Sequence, residues 1–277
     1  MWGMHARVLD NSDRALVAAL LDADPVGNCF VASRVDAGLL SLGPGELWGY
    51  PAQRPRSLLH VGANLVAVNP DEESLDAFAE DLGAWRRFVA IVGPRDVALG
   101  LQRRLSRLWG RPYAHPRIVR ERQFLMVRST ESPVAPDLRV TRALASDFDS
   151  YLAGAVAMYR EELDEDPLVT NDVGYRRYVR SLIDTRRAFA LREDDEVVFK
   201  ADLGAVTATV AQVQGVWVAP RLRGRGLSVP AMAAVTNAIV EEGRIASLYV
   251  NDFNTPAVSC YRSCGYAVVD ELASVLY

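Results

Sequence analysis

The sequence predicts an α/β (α+β) chain built from two halves, each with a sheet flanked by helices. Helix-like and strand-like segments alternate along both halves. Two apolar runs on either side of Asp194-Asp195 predict a hairpin, so the second half contains antiparallel strands. Residues 213–229 predict a strand, a glycine turn and the start of a helix, in that order. These features together indicate a mixed sheet covered by helices.

Chain length and composition favour two globular domains. The chain has 277 residues and 50% of them are hydrophobic, which is enough to bury two cores. Ser129 to Pro136, rich in Ser, Thr and Pro, is the best linker candidate, so we predict domains at residues 1–130 and 137–277. A net charge of −4 offers no basic surplus for nucleic acid or for an anionic membrane, so neither partner is expected.

The cysteines and the N-terminal residues indicate a reducing cytoplasm. Cys29, Cys260 and Cys264 fit no disulfide or zinc pattern, so we expect buried apolar thiols and no metal site. No apolar run reaches the roughly 18 residues of a membrane span. Met1 to His5 lacks the charged and apolar regions of a signal peptide. We therefore expect a cytoplasmic protein.

Helical spacing and β-branched or apolar runs place the elements of the first half. Glu72–Leu82, for example, carries Leu75, Phe78, Ala79 and Leu82 on one face. A strand, a turn at Gly93 and a helix then follow in the same order as at 213–229. This turn has fewer N–H donors for a phosphate, so the similarity is weak. The predicted helices are 15–21, 28–40, 72–82 and 97–109, and the predicted strands are 46–50, 57–61, 64–68, 88–92 and 117–127.

The second half is assigned in the same way. Its predicted strands are 138–140, 189–192, 197–202, 206–218, 245–250, 266–269 and 273–276. Its predicted helices are 143–160, 175–185, 229–242 and 255–264. The order of elements is therefore β–α–α–β–β–β–α–β–α–β–β.

The turn inside residues 213–229 has the chemistry of an anion site. Valines favour an extended strand up to Pro220, which cannot donate to a ladder. Gly224 and Gly226 allow successive N–H groups to point into one concavity, and the helix that follows adds its positive N-terminus. Arg223 and Arg225 flank the turn, so a diphosphate fits it. The turn is neither a Walker loop nor a Rossmann fingerprint, and an ordinary strand–turn–helix connection is the alternative.

Two segments carry a resemblance to a known family. Arg223-Gly224-Arg225-Gly226-Leu227-Ser228 resembles the acyl-CoA loop of GNAT-type N-acetyltransferases, with Ser228 in place of the usual Gly or Ala. Residues 254–266 resemble a second GNAT signature, with Asn254, Ala257, Tyr261, Gly265 and Tyr266 at its anchor positions. The order of elements over 138–277 is also that of the GNAT fold. The first half then looks like a degenerate second copy, as in tandem members of that family.

The resemblance implies a mixed, mostly antiparallel sheet and transfer of an acetyl group from acetyl-CoA to a primary amine in a ternary complex. The acceptor would be a small molecule or a peptide or protein amine. The pantetheine arm would pair with the backbone of the strand end, and the diphosphate would lie on the loop. The cofactor-binding residues implied are Val216, Trp217, Val218, Arg223, Gly224, Arg225, Gly226, Leu227, Ser228 and Asn254.

Tyr261 is the catalytic residue that the resemblance points to most directly, as the acid that protonates the departing thiolate. A phenol holds its proton at neutral pH. The alternative is that Tyr261 only orders the thioester. Many relatives carry a glutamate as base where this chain has Tyr249, so Glu162 or Glu161 is expected to act instead, directly or through water. Asp202 is a third candidate for the base.

Two further groups of charges remain open at this level. The carboxylates between Glu161 and Asp166 would attract a cationic amine if they line the acceptor groove, and otherwise form a solvated face. Lys200 and Asp202 lie on one face of a strand and are expected to form a structural pair. Two other functions compete with catalysis: a CoA-binding regulatory module without turnover, and a structural partner protein. A homodimer is a possible assembly.

Overall fold

A computed structural model describes residues 5–41 and 43–277. Met1 to Met4, on which the signal-peptide prediction depends, lie outside the described residues. The chain forms two compact units. The first contains the residues up to Leu125 together with Tyr249–Phe253 and Val268–Tyr277, and the second contains Met126–Leu248 and Asn254–Ala267. The domain bounds predicted from composition, 1–130 and 137–277, stay a prediction.

The first half of the chain contains six strands and five α-helices among its described residues. The strands are β1 (Arg7–Val8), β2 (Glu46–Tyr50), β3 (Ser57–Val61), β4 (Asn64–Val68), β5 (Ala90–Pro94) and β6 (Ile118–Arg128). The helices are α1 (Arg14–Leu21), α2 (Cys29–Asp36), α3 (Glu72–Leu82), α4 (Arg95–Trp109) and α5 (Arg111–Ala114). The predicted bounds of β2, β3, β4 and α3 agree with these. The helix predicted at 28–40 ends at Asp36, because Gly38 takes a φ of +96° and stops it.

The second half contains another six strands and four α-helices. The strands are β7 (Thr141–Arg142), β8 (Ala188–Glu193), β9 (Glu196–Val206), β10 (Val210–Val218), β11 (Ile245–Asn251) and β12 (Ala267–Leu276). The helices are α6 (Phe148–Leu163), α7 (Pro167–Asp184), α8 (Ser228–Glu241) and α9 (Thr255–Ser263). Both halves therefore repeat one order of elements, β–α–α–β–β–β–α–β–α–β, with α5 as an addition in the first.

Three predictions in the second half need correction. Residues 138–140 are not a strand, and Leu138 is exposed. The two closing strands predicted at 266–269 and 273–276 are one continuous strand, β12. Helix α7 begins at Pro167, well before the predicted start at Tyr175. Asn171, with φ −159° and ψ 66°, interrupts it, and its side chain caps the restarted helix by accepting from the Gly174 N–H at 3.1 Å. Helical periodicity is therefore regular only beyond that kink.

The sheet in each unit is mixed and mostly antiparallel, as the sequence predicted. In the first unit the strands are hydrogen-bonded in the order β1-β2-β3-β4-β5-β12, and only β4 and β5 are parallel. In the second unit the order is β11-β10-β9-β8-β7, and only β10 and β11 are parallel. Asp194 and Asp195, both at positive φ, turn β8 into β9, which confirms the predicted hairpin.

Alternation along the strands fills the cores on both faces of the first unit's sheet. Leu58 and Leu59 are both fully buried, yet they belong to different clusters because successive side chains point to opposite faces. Leu59 packs with Phe78 and Leu101 of α3 and α4, and Leu58 packs with Val17 and Val31 of α1 and α2. In the second unit a third cluster joins α6 and α7 to β8 and β9.

The described part of the chain contains no helix with the length and apolar character needed to cross a membrane. Within those same residues no group of three metal-binding side chains comes together. Cys29, Cys260 and Cys264 are buried thiols.

Replacing Val275 by Ala should destabilise the first unit by about 2–3 kcal/mol, because β12 contributes to its core. Val275 has no exposed surface and packs in the cluster of Phe78 and Ile91. Denaturant unfolding followed by tryptophan fluorescence measures the change. Val269→Ala on the same strand is the control, since Val269 is 55% exposed. Equal losses in the two variants would show that the burial of β12 is not what stabilises this unit.

Candidate functional site

Strand β10 carries a bulge where the predicted strand end begins. Gln214 pairs with Asp202 and Trp217 pairs with Lys200, so β10 has one residue more than β9 over this stretch. Gly215, at the bulge, has a φ of +59°, a conformation that is energetically unfavourable for any residue with a Cβ. The extra residue changes the direction of β10 beyond Gln214. An isolated glycine in a strand-like run was the sequence signal for this bulge.

A buried ion pair holds the bulge. The Lys200 ammonium has no exposed surface, and it donates to Asp202 Oδ2 at 2.8 Å and to the Gly215 carbonyl at 2.7 Å. Tyr151 of α6 donates its hydroxyl to Asp202 Oδ1. A Cβ on Gly215 would lie 2.5 Å from Asp202 Oδ2. The predicted Lys200–Asp202 pair is therefore present, and Asp202 is engaged on both oxygens, which leaves it unsuited to act as a base.

The end of β10 leaves its parallel neighbour. The ladder with β11 covers Val210 to Val213, paired with Ile245 to Leu248, among the residues described. Val216, Trp217 and Val218 continue beyond it and are half-buried. Trp217 and Val218 remain paired on their other side with β9, at Lys200 and Phe199. The Trp217 ring lies against Gly154 of α6, where an added Cβ would come within 3.2 Å of it. An extended chain that carries amide groups can hydrogen-bond to the unpaired edge of such a strand end.

The turn after β10 has the geometry of an anion site. Gly224 and Gly226 have φ values of +73° and +79°, and a Cβ at either position would meet open space. In the described chain, the N–H groups of Gly224 through Leu227 donate to no other group. Helix α8 begins at Ser228, and no side chain caps its first turn. Unpaired N–H groups at a helix N-terminus attract phosphate oxygens, so these residues fit a diphosphate.

Arg223 and Arg225 differ in a way that the sequence did not show. Arg223 donates to both carboxylate oxygens of Glu161 at 2.8 Å and to the Val218 carbonyl at 3.0 Å. It therefore ties the loop to α6 and to the strand end. Arg225 lies exposed between the two glycines. Glu161, one of the two glutamates predicted as a base, is thus engaged by Arg223 on both of its carboxylate oxygens.

Helix α9 carries the second set of predicted residues. Asn254 caps the helix, with Oδ1 accepting from the Ala257 N–H at 3.3 Å, and its amide nitrogen points to no partner among the described residues. Gly265, at a φ of +86°, follows the last turn, as predicted for a C-terminal cap. Tyr266 packs against Tyr261 with ring centroids 6.1 Å apart. The helix start and end thus fix the position of Tyr261.

The Tyr261 side chain is buried and keeps its proton. It is 8% exposed, and burial is the main cause that raises the pKa of its phenol far above the ordinary value. Cys260, Tyr266 and the Glu162 carboxylate contribute further, in that order, to this raised pKa. Glu162 therefore lies within electrostatic range of Tyr261. Tyr261 lies buried on α9 and Glu162 lies exposed near the end of α6. Tyr249 lies on β11 with its side chain partly exposed.

Two family models match the sequence. Residues 45–151 match a domain of unknown function (DUF4081), and residues 155–266 match the acetyltransferase (GNAT) family. The second match contains the glycine loop, Asn254 and Tyr261. Residues 155–266 belong to the GNAT acetyltransferase family. No curated protein matches the sequence.

Solved GNAT structures resemble nearly the whole chain. A GNAT acetyltransferase from Colwellia psychrerythraea aligns with a TM-score of 0.62 and 10% identity, over 98% of this chain and 99% of that one. A tandem GNAT protein from the clavulanic acid biosynthesis pathway aligns with a TM-score of 0.57 and 12% identity, over 98% of each chain. A GNAT protein from Sphaerobacter thermophilus aligns with a TM-score of 0.56 and 18% identity, over 98% of this chain and 95% of that one. At such identities the likeness shows the fold, and it confirms the predicted fold class.

The first half has a different turn at the position equivalent to the glycine loop of the GNAT domain. By order of elements that position lies between β4 and α3, and not at Gly93, where the sequence suggested a faint copy. Asp71 caps α3 by accepting from the Ser74 N–H at 2.8 Å, and Glu72 and Glu73 follow in the first turn. Carboxylates at a helix N-terminus satisfy its N–H groups and repel a phosphate. This turn is therefore unsuited to bind a diphosphate.

Replacing Lys200 by Met should cost about 3–5 kcal/mol of folding free energy, because Asp202 would be left as an unpaired buried charge. Replacing both residues, as Lys200→Met with Asp202→Leu, should recover most of that loss. The matched control is Arg176→Met, which removes an exposed ion pair with Asp172 and should change stability by less than about 0.5 kcal/mol. Chemical denaturation measures all three. A single variant as stable as the control would contradict the role given to Lys200.

Proposed function

We propose that the GNAT domain transfers an acetyl group from acetyl-CoA to a primary amine, directly and within a ternary complex. The observation that carries the proposal is the turn at Gly224 and Gly226. It presents unpaired N–H groups between a strand end with an unpaired edge and the start of α8. A molecule with an amide-bearing arm and a diphosphate has complementary groups for both features.

The cofactor would bind along residues already in place. The pantetheine amides would pair with the open edge of Val216 to Val218, and the diphosphate would receive the N–H groups of Gly224 to Ser228. Arg225 would supply the positive charge, since Arg223 is engaged by Glu161. The Asn254 amide nitrogen is placed to donate to the arm, because only its oxygen is used by the helix cap.

The chemistry needs a proton acceptor for the amine and a proton donor for the thiolate. The amine nitrogen attacks the thioester carbon, a C–N bond forms, and the C–S bond breaks. Glu162 would take the proton that the nitrogen loses, and Tyr261 would give its proton to the sulfur. The proton that Glu162 takes balances the one that Tyr261 gives, so its later return to the phenol would restore both side chains.

A CoA-binding regulatory module without turnover is the second candidate. One observation favours it: Tyr249 stands on β11 where a glutamate is usual in relatives, and its phenol is a weak base at neutral pH. This alternative shares the cofactor site and differs only in the absence of acetyl transfer.

Tyr261→Phe should lower kcat by about 10²–10³-fold and leave the Kd for acetyl-CoA within about twofold, because it removes only the proton donor. Thiol release with an amine panel gives kcat, and calorimetry gives Kd. Because burial raises the Tyr261 pKa, wild-type kcat should show no alkaline loss from this group below about pH 10. Unchanged turnover in the variant would remove Tyr261 from the acid role.

Gly226→Val should weaken acetyl-CoA binding by at least about tenfold, since a β-branched residue cannot hold the φ of +79° without strain and the N–H groups would turn away. The control is Gly243→Val at the far end of α8, where φ is +77° and a Cβ also meets open space. Both variants carry similar backbone strain, so only the first should lose affinity in calorimetry. Normal affinity in Gly226→Val would place the diphosphate elsewhere.

A further inference from the structure

Three tyrosines on α6 and α7 form a continuous aromatic surface in the second unit. The rings of Tyr159 and Tyr175 meet edge to face, with centroids 5.6 Å apart, and Tyr178 continues the row with its centroid 6.2 Å from that of Tyr175. We call these residues the tyrosine wall. Tyr159 and Tyr175 are half-buried and Tyr178 is exposed, so part of each ring reaches solvent.

Hydrogen bonds fix two of the rings. Tyr175 donates its hydroxyl to the Ala155 carbonyl at 3.1 Å, and the Tyr178 hydroxyl accepts from Gln214 Nε2. Gln214 is the residue just before the bulge at Gly215. The tyrosine wall therefore adjoins the point at which β10 turns towards its open edge, where the thioester end of the cofactor would lie.

A carboxylate lies on the same side of α6 as the first residue of the tyrosine wall. Glu162 follows Tyr159 by three residues on α6, so the two side chains project from the same side of the helix. Burial raises the pKa of both Tyr175 and Tyr261, and the Glu162 charge is a smaller cause for each of them. Glu162 thus places a negative charge on the side of α6 that carries Tyr159.

An aromatic surface beside a carboxylate has a defined preference for ligands. The face of a tyrosine ring attracts an ammonium group by about 0.5–2 kcal/mol and offers nothing comparable to an anion. A neighbouring carboxylate adds Coulomb attraction for the same cation. The nitrogen that is acetylated must lie near Glu162 and Tyr261 and must lose its charge before it attacks. A cation held against the tyrosine wall is consequently a second charged group on the same acceptor.

We propose that the acceptor is an aliphatic amine with a second ammonium group, and that this second group binds against Tyr159 and Tyr175. The proposal rests on the acetyl transfer proposed above. Two sources share this chemistry: a free aliphatic diamine or polyamine, and a lysine side chain next to another cationic residue in a peptide.

The test compares amines that differ only in the second charge. Thiol release from acetyl-CoA is measured with 1,5-diaminopentane, with pentylamine, and with a Lys-Lys and a Lys-Leu peptide. The dicationic member of at least one pair should have a kcat/KM at least about tenfold higher than its partner, and the pair that shows this identifies the source. Calorimetry with CoA is run alongside, because failure to bind CoA would refute the proposed function itself.

Variants of the tyrosine wall separate recognition from folding. The dication preference is the kcat/KM of the dicationic amine divided by that of its monocationic partner. Tyr175→Leu and Tyr159→Leu should each bring this ratio close to one, mainly through a higher KM for the dicationic amine. Tyr175→Phe keeps a ring and should retain most of the preference. Trp85→Leu removes a side chain that is 82% exposed in the first unit and should leave the preference unchanged.

Each possible result either supports or overturns the proposed dicationic acceptor. If CoA binds but the dicationic and monocationic amines react equally, or none reacts, the inferred acceptor is wrong while the cofactor site stands. The inference is also overturned if Tyr175→Leu, folded by its thermal transition, keeps the wild-type preference.

Discussion

The contact between the Lys200 ammonium and the Gly215 carbonyl is the constraint on which the site depends. A fully buried ammonium needs acceptors on every side, and it finds them in Asp202 and in a carbonyl that only the bulge of β10 presents. The bulge in turn sends the end of β10 away from the ladder that it shares with β11.

Adjacent glutamates on α6 have different roles because successive helical residues point in different directions. Glu161 faces the loop and fixes Arg223, which also holds the Val218 carbonyl. Glu162 projects in another direction, from the same side of the helix as Tyr159 three residues earlier. One turn of helix therefore fixes the glycine loop through one carboxylate and places the next on the side of the tyrosines. The charge run in the sequence contains both residues and does not distinguish them.

The two halves show how one order of elements can serve two purposes. Each has a parallel strand pair joined through a helix, β4 with β5 and β10 with β11. In the second, glycines at positive φ leave the helix N-terminus open. In the first, Asp71 caps that terminus from within the chain. The first unit also takes Ala273 and Val275 of β12 into its core, so its stability depends on the last residues of the chain.

The sequence alone determined the repeated order of elements, the strand–turn–helix at Gly224 and Gly226, and the capped helix that carries Tyr261. These features depend on local properties: periodicity, the allowed φ of glycine, and side chains that cap their own helix. The tertiary structure decided which charges meet. It paired Arg223 with Glu161, closed Asp202 between Lys200 and Tyr151, and joined two predicted strands into β12. Such choices depend on distances between residues far apart in the chain, and a linear pattern contains no information about those distances until the sheet brings the segments together.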